Sequence, residues 1–436
     1  MTVKIKQFLA KKIQIKRREL CEWHLEWSRK APPPFYCSVD LRDSGHKIVP
    51  VDSNLYPGGF NNICPEDLRT AAFIFKTHLD SIMIQKQLRQ LKKILILPES
   101  HTHNSYYIEN IYYLKNILEG AGFETQIGWH TTSGKLPEAP VLLQSFSSKE
   151  LRAYPLQVMK GLAKAGDFVP DLILLNNDFS HGYPKILDAI EQPILPSHKL
   201  GWHSRKKSLH FTYYNQLAAE FADIIKIDPW IIQIDTEEVS PVHFGKEKGT
   251  EQVAQAVDRI LERTRQAYEL RQIHRKPFVF IKNNSGTYGI GIMVAHSSED
   301  LRKMNRRTKN KMSIGKNQTP IESVVIQEGV PTATLVDRLA AEPVIYLVGC
   351  QLIGGFLRTN SQKSDEENLN SQGMVFKKLC MSDLRNPEVD SDLDEDLKEE
   401  PVLELVYGSI ARISALATGL EFSQLNIDRA SNEKRN

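Results

Sequence analysis

Lys282 closes the run FVFIK and leads into NNSGTYGIGIM, which places a cation, two hydroxyls and several glycines close together. Backbone amides in such a turn can approach a polyphosphate because glycine has no Cβ to obstruct it. Ser285 and Thr287 add hydroxyl donors, Gly286, Tyr288 and Gly289 shape the turn, and Lys282 can neutralise an α- or β-phosphate. The segment lacks the GK[ST] of a Walker loop, and a strand rather than a helix follows, so it is not a dinucleotide fingerprint. An ordinary glycine hairpin is the other reading.

Two further groups of residues carry chemistry. In SVVIQEGV a strand ends at Gln327, Glu328 and Val330, where backbone groups could pair with an adenine edge and the Glu328 carboxylate could accept from ribose hydroxyls; a plain strand and turn is the alternative. In FYCSVDLRDSGHKIVPVDSNLYPGGFNN, Arg42 and Lys47 could hold carboxylates and Asp40 and Asp52 an α-ammonium, with Asn54, Asn61 and Asn62 as neutral partners. Its many Asp, Asn, Gly and Pro residues predict loops, hence a loop-built binding surface or a solvated polar loop. Arg205, Lys206 and Lys207 could contact phosphate or carboxylate, or form a basic surface patch. His101 and His103 are poor zinc candidates at i, i+2, and no cysteine has a motif that supplies a base.

The elements that must hold these residues fall into three stretches. Residues 1–90 begin with an amphipathic helix, break at Pro32, Pro33 and Pro34, and continue as the polar segment. Residues 91–210 alternate strand and helix: KKILILPES, SYYIENIYYLKNILEGAGF, FETQIGW and PDLILLNNDFS. That alternation predicts a Rossmann-like, mainly parallel sheet, with Glu99, Ser100, His101, Asn176, Asn177 and Asp178 at the strands' carboxyl ends, where ligands bind. Residues 211–436 hold a long helix over about 251–272 and then strand pairs, so this part reads as α+β. The acidic run EVDSDLDEDLKEEP predicts a solvated loop, and a final helix is expected over about 403–417.

Composition narrows the function. With 41% apolar and 25% charged residues the 436-residue chain reads as globular, and a net charge of +3 gives no field for nucleic acid. Apolar runs of about six to eight residues fall short of the roughly 20 that cross a bilayer. Five scattered cysteines without a CxxC pair predict free thiols and a reducing, cytoplasmic setting. The number of subunits is not legible.

The order of lysine-bearing strand, glycine hairpin and acidic-ended strand, then EPVIYLVGCQLIGGFLR with Arg358 and NLNSQG, resembles the ATP-grasp fold over roughly residues 275–420. The resemblance implies ATP and Mg2+, with Lys282 and Arg358 acting on the transferred phosphate. A closing strand with Glu-x-Asn is missing, which leaves Glu342 and Asn370 as candidate magnesium ligands, chosen for their hard oxygens.

PPFYCSVDLRDSGHKIVPVDSNLYPGGFNN, LPESHTHNSYY, LLNNDFSHGYP and GWHSRKKSLHF, together with the nucleotide segment, resemble the proteobacterial glutamate–cysteine ligases. This implies a cytoplasmic enzyme acting on glutamate, cysteine and ATP to form γ-glutamylcysteine, the first step of glutathione biosynthesis. A ligase for another carboxylate–amine pair and a nucleotide-binding regulatory protein are the alternatives.

Overall fold

The computed structural model describes residues 2–85, 90–99, 104–130, 139–180, 182–244, 247–286, 291–314, 320–381 and 402–433. In chain order these form α1 (Thr2–Ile15), α2 (Arg17–Lys30), β1 (Tyr36–Asp43), β2 (Ile48–Asn54), α3 (Leu68–Gln85), β3 (Lys93–Pro98), α4 (Ser105–Gly120) and β4 (Glu124–Trp129). Next come β5 (Val141–Gln144), β6 (Glu150–Met159), β7 (Leu162–Ala165), β8 (Leu172–Asn176), β9 (Ile194–Leu195), α5 (Lys207–Ile225), β10 (Thr236–Val239) and α6 (Glu247–Leu270). The remainder is β11 (Val279–Asn283), β12 (Ile292–Ala295), α7 (Ser298–Arg302), α8 (Arg306–Ser313), β13 (Val324–Glu328), β14 (Leu335–Val336), β15 (Leu339–Val348), β16 (Gln351–Asn360), β17 (Met374–Leu379) and α9 (Val402–Glu433).

The polar N-terminal segment is not built of loops, as its composition predicts. It is a hairpin, β1–β2, and β1 also pairs antiparallel with β15, giving the sheet order β17-β16-β15-β1-β2. Alternation explains how so polar a run enters a sheet: Cys37, Val39 and Leu41 point into an apolar core while Tyr36, Ser38, Asp40 and Arg42 take the other face. The core on the first face is shared with α1, α5 and α9, so the N-terminal stretch and the C-terminal strands form one unit. A boundary near residue 90 cuts through that unit.

A second sheet, β10-β13-β11-β12, is antiparallel throughout and packs its Val279, Ile281, Val324 and Ile326 side onto α6. The third sheet holds β6, β4, β3, β8 and β9 in parallel, with β5 and β7 antiparallel to β6. Asn104 starts α4 beside it by accepting from the amides of Tyr106 and Tyr107. The fold is therefore mixed α/β with several sheets.

The final helix runs well past residue 417. Gly419 would end it by sequence logic, yet a Cβ there would stand 2.4 Å from the Ala31 carbonyl oxygen and 2.6 Å from that of Pro32, so the glycine serves close packing. Val406, Ile410, Ile413 and Ala417 form its buried stripe. Among the described residues, Val402–Leu425 is long and apolar enough to cross a membrane, and 72% of its most apolar window is buried inside the protein.

Not all thiols are free. Cys64 and Cys380 are joined as a disulfide with Cα atoms 5.1 Å apart, whereas Cys21, Cys37 and Cys350 are free. At a sequence separation of 316, no spacing announces the pair.

Candidate active site

The charged residues singled out in the sequence meet between the two antiparallel sheets. Along the second face of β1, the aromatic Tyr36 gives way to Asp40 and Arg42, and on the neighbouring strands Tyr346 and Phe356 give way to Glu342 and Arg358, which are register partners. Arg42 Nε donates to Glu342 at 2.8 Å, and Arg358 Nη1 donates to Glu342 at 2.8 Å and to Asp40 at 2.7 Å. All four side chains are buried. From the second sheet, Lys282 on β11 donates to the Val51 carbonyl at 2.8 Å and to Gln327 Oε1 at 2.6 Å, which ties β11 and β13 to β2.

Lys282 differs from the other cations because its acceptors are neutral. Burial lowers its pKa to about 8, with Lys207 and Arg42 pressing it further down and Asp52 opposing. Burial raises the Asp40 carboxyl, and nearby Glu342 and Asp52 add to the rise against Arg358. Burial would also raise Glu342, but Arg42 and Arg358 outweigh it and hold that carboxyl below its usual range. Three buried polar atoms of this cluster have no hydrogen-bond partner: Asp40 Oδ1, Arg358 Nε and Gln327 Nε2. Orphaned buried groups are costly, and here they offer one acceptor and two donors to a ligand.

Several expected contacts are already filled from within the chain. The Arg42 fork, expected to grip a substrate carboxylate, holds Glu342 and, at 2.7 Å each, the carbonyls of Asp365 and Glu367. Lys47 is buried against Glu328, which also accepts from the Asp235 amide, so this expected carboxylate binder and this expected ribose acceptor neutralise each other. A charge taken out of water needs a partner, and here Glu342 supplies it across the first sheet and Glu328 from the second sheet. The Val330 side chain lies in the first core.

Ser285 donates to the Arg205 carbonyl at 2.9 Å, and Gly286 packs against Asn283. Thr287, Tyr288 and Gly289 lie outside the described residues, as do Ser100, His101 and His103. Asn54 ends β2 opposite Ser38. Asn61 and Asn62 form a short 3-10 turn with Phe60, and the Gly59 and Phe60 amides that open it donate to Asn110 Oδ1. Asn110 in turn bonds Asn176, at the carboxyl end of β8. The polar segment therefore serves two places: Arg42 and Asp52 lie near Lys282, while the turn with Asn61 and Asn62 is tied through Asn110 to Asn176 of the parallel sheet.

Glu342, expected as a magnesium ligand, has both carboxylate oxygens taken by arginines. Each Glu342 oxygen accepts from a guanidinium, so a divalent cation there would face two fixed positive charges. Asn370 lies apart from it in a loop, where its backbone amide donates to Asn368 Oδ1. Among the described residues, only Cys64, Glu66 and Cys380 group three potential metal ligands, and two of these are the disulfide.

Lys207 lies inside the fold beside this cluster rather than in a surface patch. It is buried, pairs with Asp52 and lies 4.2 Å from the Trp202 ring centre. Burial pushes the Asp52 carboxyl up, but Lys207 and Lys282 bring it below its ordinary value. The spacing of Lys207, His210, Phe211 and Tyr214, which puts them on one helix face, was a signal for this inward position.

The glutamate-cysteine ligase family model, GshA, matches residues 10–422. A crystal structure of a protein from Methylobacillus flagellatus KT, provisionally named a gamma-glutamylcysteine synthetase, is 32% identical with a TM-score of 0.84, covering 96% of each chain. D-alanyl-alanine synthetase A from Vibrio cholerae O1 is 11% identical with a TM-score of 0.32, over 76% of this chain and 81% of the other. A glutathione synthetase-like effector from Globodera pallida is 9% identical with a TM-score of 0.39, over 86% and 85%. The last two are too distant to bear on function. No curated protein matches the chain.

Proposed function

The chain belongs to the glutamate-cysteine ligase family, and on that premise we propose that the charge array between the two antiparallel sheets is where ATP activates glutamate. The observation that carries this reading is Lys282, a buried cation held only by neutral acceptors, one of which, Gln327, has an unpartnered Nε2. The two sheets act as an ATP-grasp pair. The nucleotide's phosphates lie at Lys282, Lys207 and the base of the glycine hairpin with Ser285 and Gly286, and the base lies toward Gln327 and the turn after Glu328.

In this reading a γ-carboxylate oxygen of glutamate attacks the γ-phosphorus of ATP, ADP leaves, and an acyl phosphate forms. The cysteine amine then attacks the acyl carbon, inorganic phosphate leaves, and the amine loses a proton to give the amide. Positioning and charge stabilisation do most of the work in phosphoryl transfer. Lys282 balances the anion, Arg358 offers Nε to the transferring group, and Asp40 Oδ1 accepts from the glutamate ammonium. Magnesium enters as part of the nucleotide substrate, and no residue of this chain is assigned to it. A cytoplasmic setting, where ATP and reduced cysteine are supplied, follows from these substrates.

Phosphate release with ATP, glutamate and each of the twenty amino acids tests the proposal. Release that requires both glutamate and cysteine, with γ-glutamylcysteine found by mass, supports it. Release with a different acceptor would reassign the amine, and no release in any mixture would leave a nucleotide-binding role without ligation.

A further inference from the structure

The start of α5 is clamped to the base of the glycine hairpin. The Lys207 amide donates to the Asn284 carbonyl at 2.8 Å, the Ser208 amide to Asn284 Oδ1 at 2.9 Å, and Asn284 Nδ2 to Ser208 Oγ at 3.0 Å. With Ser285 held by the Arg205 carbonyl, residues 205–208 fix the first two hairpin residues by backbone and side chain alike.

Behind this clamp stands a buried carboxylate. Glu421 of α9 accepts from Arg205 Nε at 2.8 Å and Nη2 at 3.0 Å, while Arg205 Nη1 donates to the Ser53 carbonyl at 3.2 Å. His210 Nδ1 lies 2.5 Å from the same carboxylate, and its Nε2 is 3.0 Å from Ser414 Oγ. Ser414, His210 and Glu421 have the order of nucleophile, base and orienting acid, but Ser414 is 0% exposed and meets no substrate. Helix packing does not call for this charge either. Glu421 continues the stripe of Val406, Ile410, Ile413 and Ala417, and its charge serves Arg205 and His210 of the neighbouring segment, which an apolar side chain would leave buried without an acidic partner.

We propose that Glu421 is a positioning residue for the nucleotide. Through Arg205 and His210 it sets the place of residues 205–208, and so of Lys207 and the hairpin base. The inference rests on the reading that the phosphates of ATP lie there. It links the C-terminal helix to nucleotide affinity without any contact between Glu421 and ligand.

Trp202 reports on this region directly, because its ring lies 4.8 Å from the Arg205 guanidinium and 4.2 Å from Lys207 Nζ. ATP is titrated against the full-length protein, and the Trp202 signal is isolated from the other four tryptophans by comparison with Trp202→Phe. Glu421→Gln should raise the ATP Kd about tenfold and leave the glutamate KM within twofold. Glu421→Asp, which keeps the charge, should recover part of the loss. Combined with Ser208→Ala, Glu421→Gln should give less than the product of the single effects, since both act on one clamp. A folded Glu421→Gln protein with ATP Kd within twofold of the parent, or effects that simply multiply, overturns the proposal. Should Glu421→Gln fail to fold, His210→Gln carries the same test with the same outcomes. A parent protein that binds no ATP at millimolar concentration would instead overturn the functional reading on which the proposal rests.

Discussion

Arg42 and Glu342, 300 residues apart in the chain, form a buried ion pair at 2.8 Å. Glu342 also accepts from Arg358, whose Nη1 donates to Asp40 as well, so one acidic side chain joins three strands. Removing one member of such a pair leaves an unpaired buried charge, a loss on the order of 3–5 kcal/mol. Glu342→Gln should therefore lower both the urea midpoint and the turnover rate, and a fully active, equally stable variant would contradict this account.

Arg42→Lys follows from the same contact. Lysine keeps the charge but lacks the planar fork whose three nitrogens reach Glu342 and two carbonyls. Stability and every kinetic constant should fall together. A drop confined to glutamate saturation would return Arg42 to direct substrate recognition.

Lys282 makes the nucleotide step sensitive to alkali. In the free enzyme its pKa of about 8 means that the charge is lost above that pH, so kcat/KM for ATP should decline there. Lys282→Arg should remove this decline. For stability the sign is opposite: between about 8 and the unfolded lysine value the unfolded chain binds more protons, so rising pH relieves the burial cost. A flat ATP profile from pH 7 to 9.5 would remove Lys282 from the site.

Glu421 should govern acid unfolding. Burial raises its pKa, but Arg205 and His210 outweigh that and bring it to about 2. A carboxyl depressed in this way stabilises the fold above its unfolded pKa, and the contribution, on the order of 3 kcal/mol, is lost as pH falls toward 2. The slope of stability against pH between about 4.5 and 2 should be shallower in Glu421→Gln, measured by urea titration at each pH.

The Cys64–Cys380 link closes a loop of 316 residues. Its reduction, or Cys64→Ser without reductant, should cost about 2–4 kcal/mol. If parent and variant unfold alike in oxidising buffer, the two thiols are not joined in solution.

The sequence made the parallel sheet readable because β3 and β8 are short apolar runs between polar ends, and α4 leads by a glycine into the more polar β4. It hid β1 and β2, whose aspartates, serine and proline mimic a loop until strand pairing shows where alternate residues point. Asp40, Arg42, Lys282, Glu342 and Arg358 could be picked out by type and local order. Their mutual pairing could not, since it depends on strands drawn from opposite ends of the chain. Glu421 gave no local sign at all: only the packing of α9 against α5 brings it to Arg205 and His210.

The pairing of β1 with β15 also sets a schedule for synthesis. At about 5–20 residues per second, a ribosome that has finished Asp43 needs roughly 15–60 s more to reach Val348. Throughout that interval the hairpin presents an open edge, and its apolar face lacks the cover of α9. A nascent chain stalled before residue 339 should hold onto chaperones through its first fifty residues, although those residues left the ribosome long before.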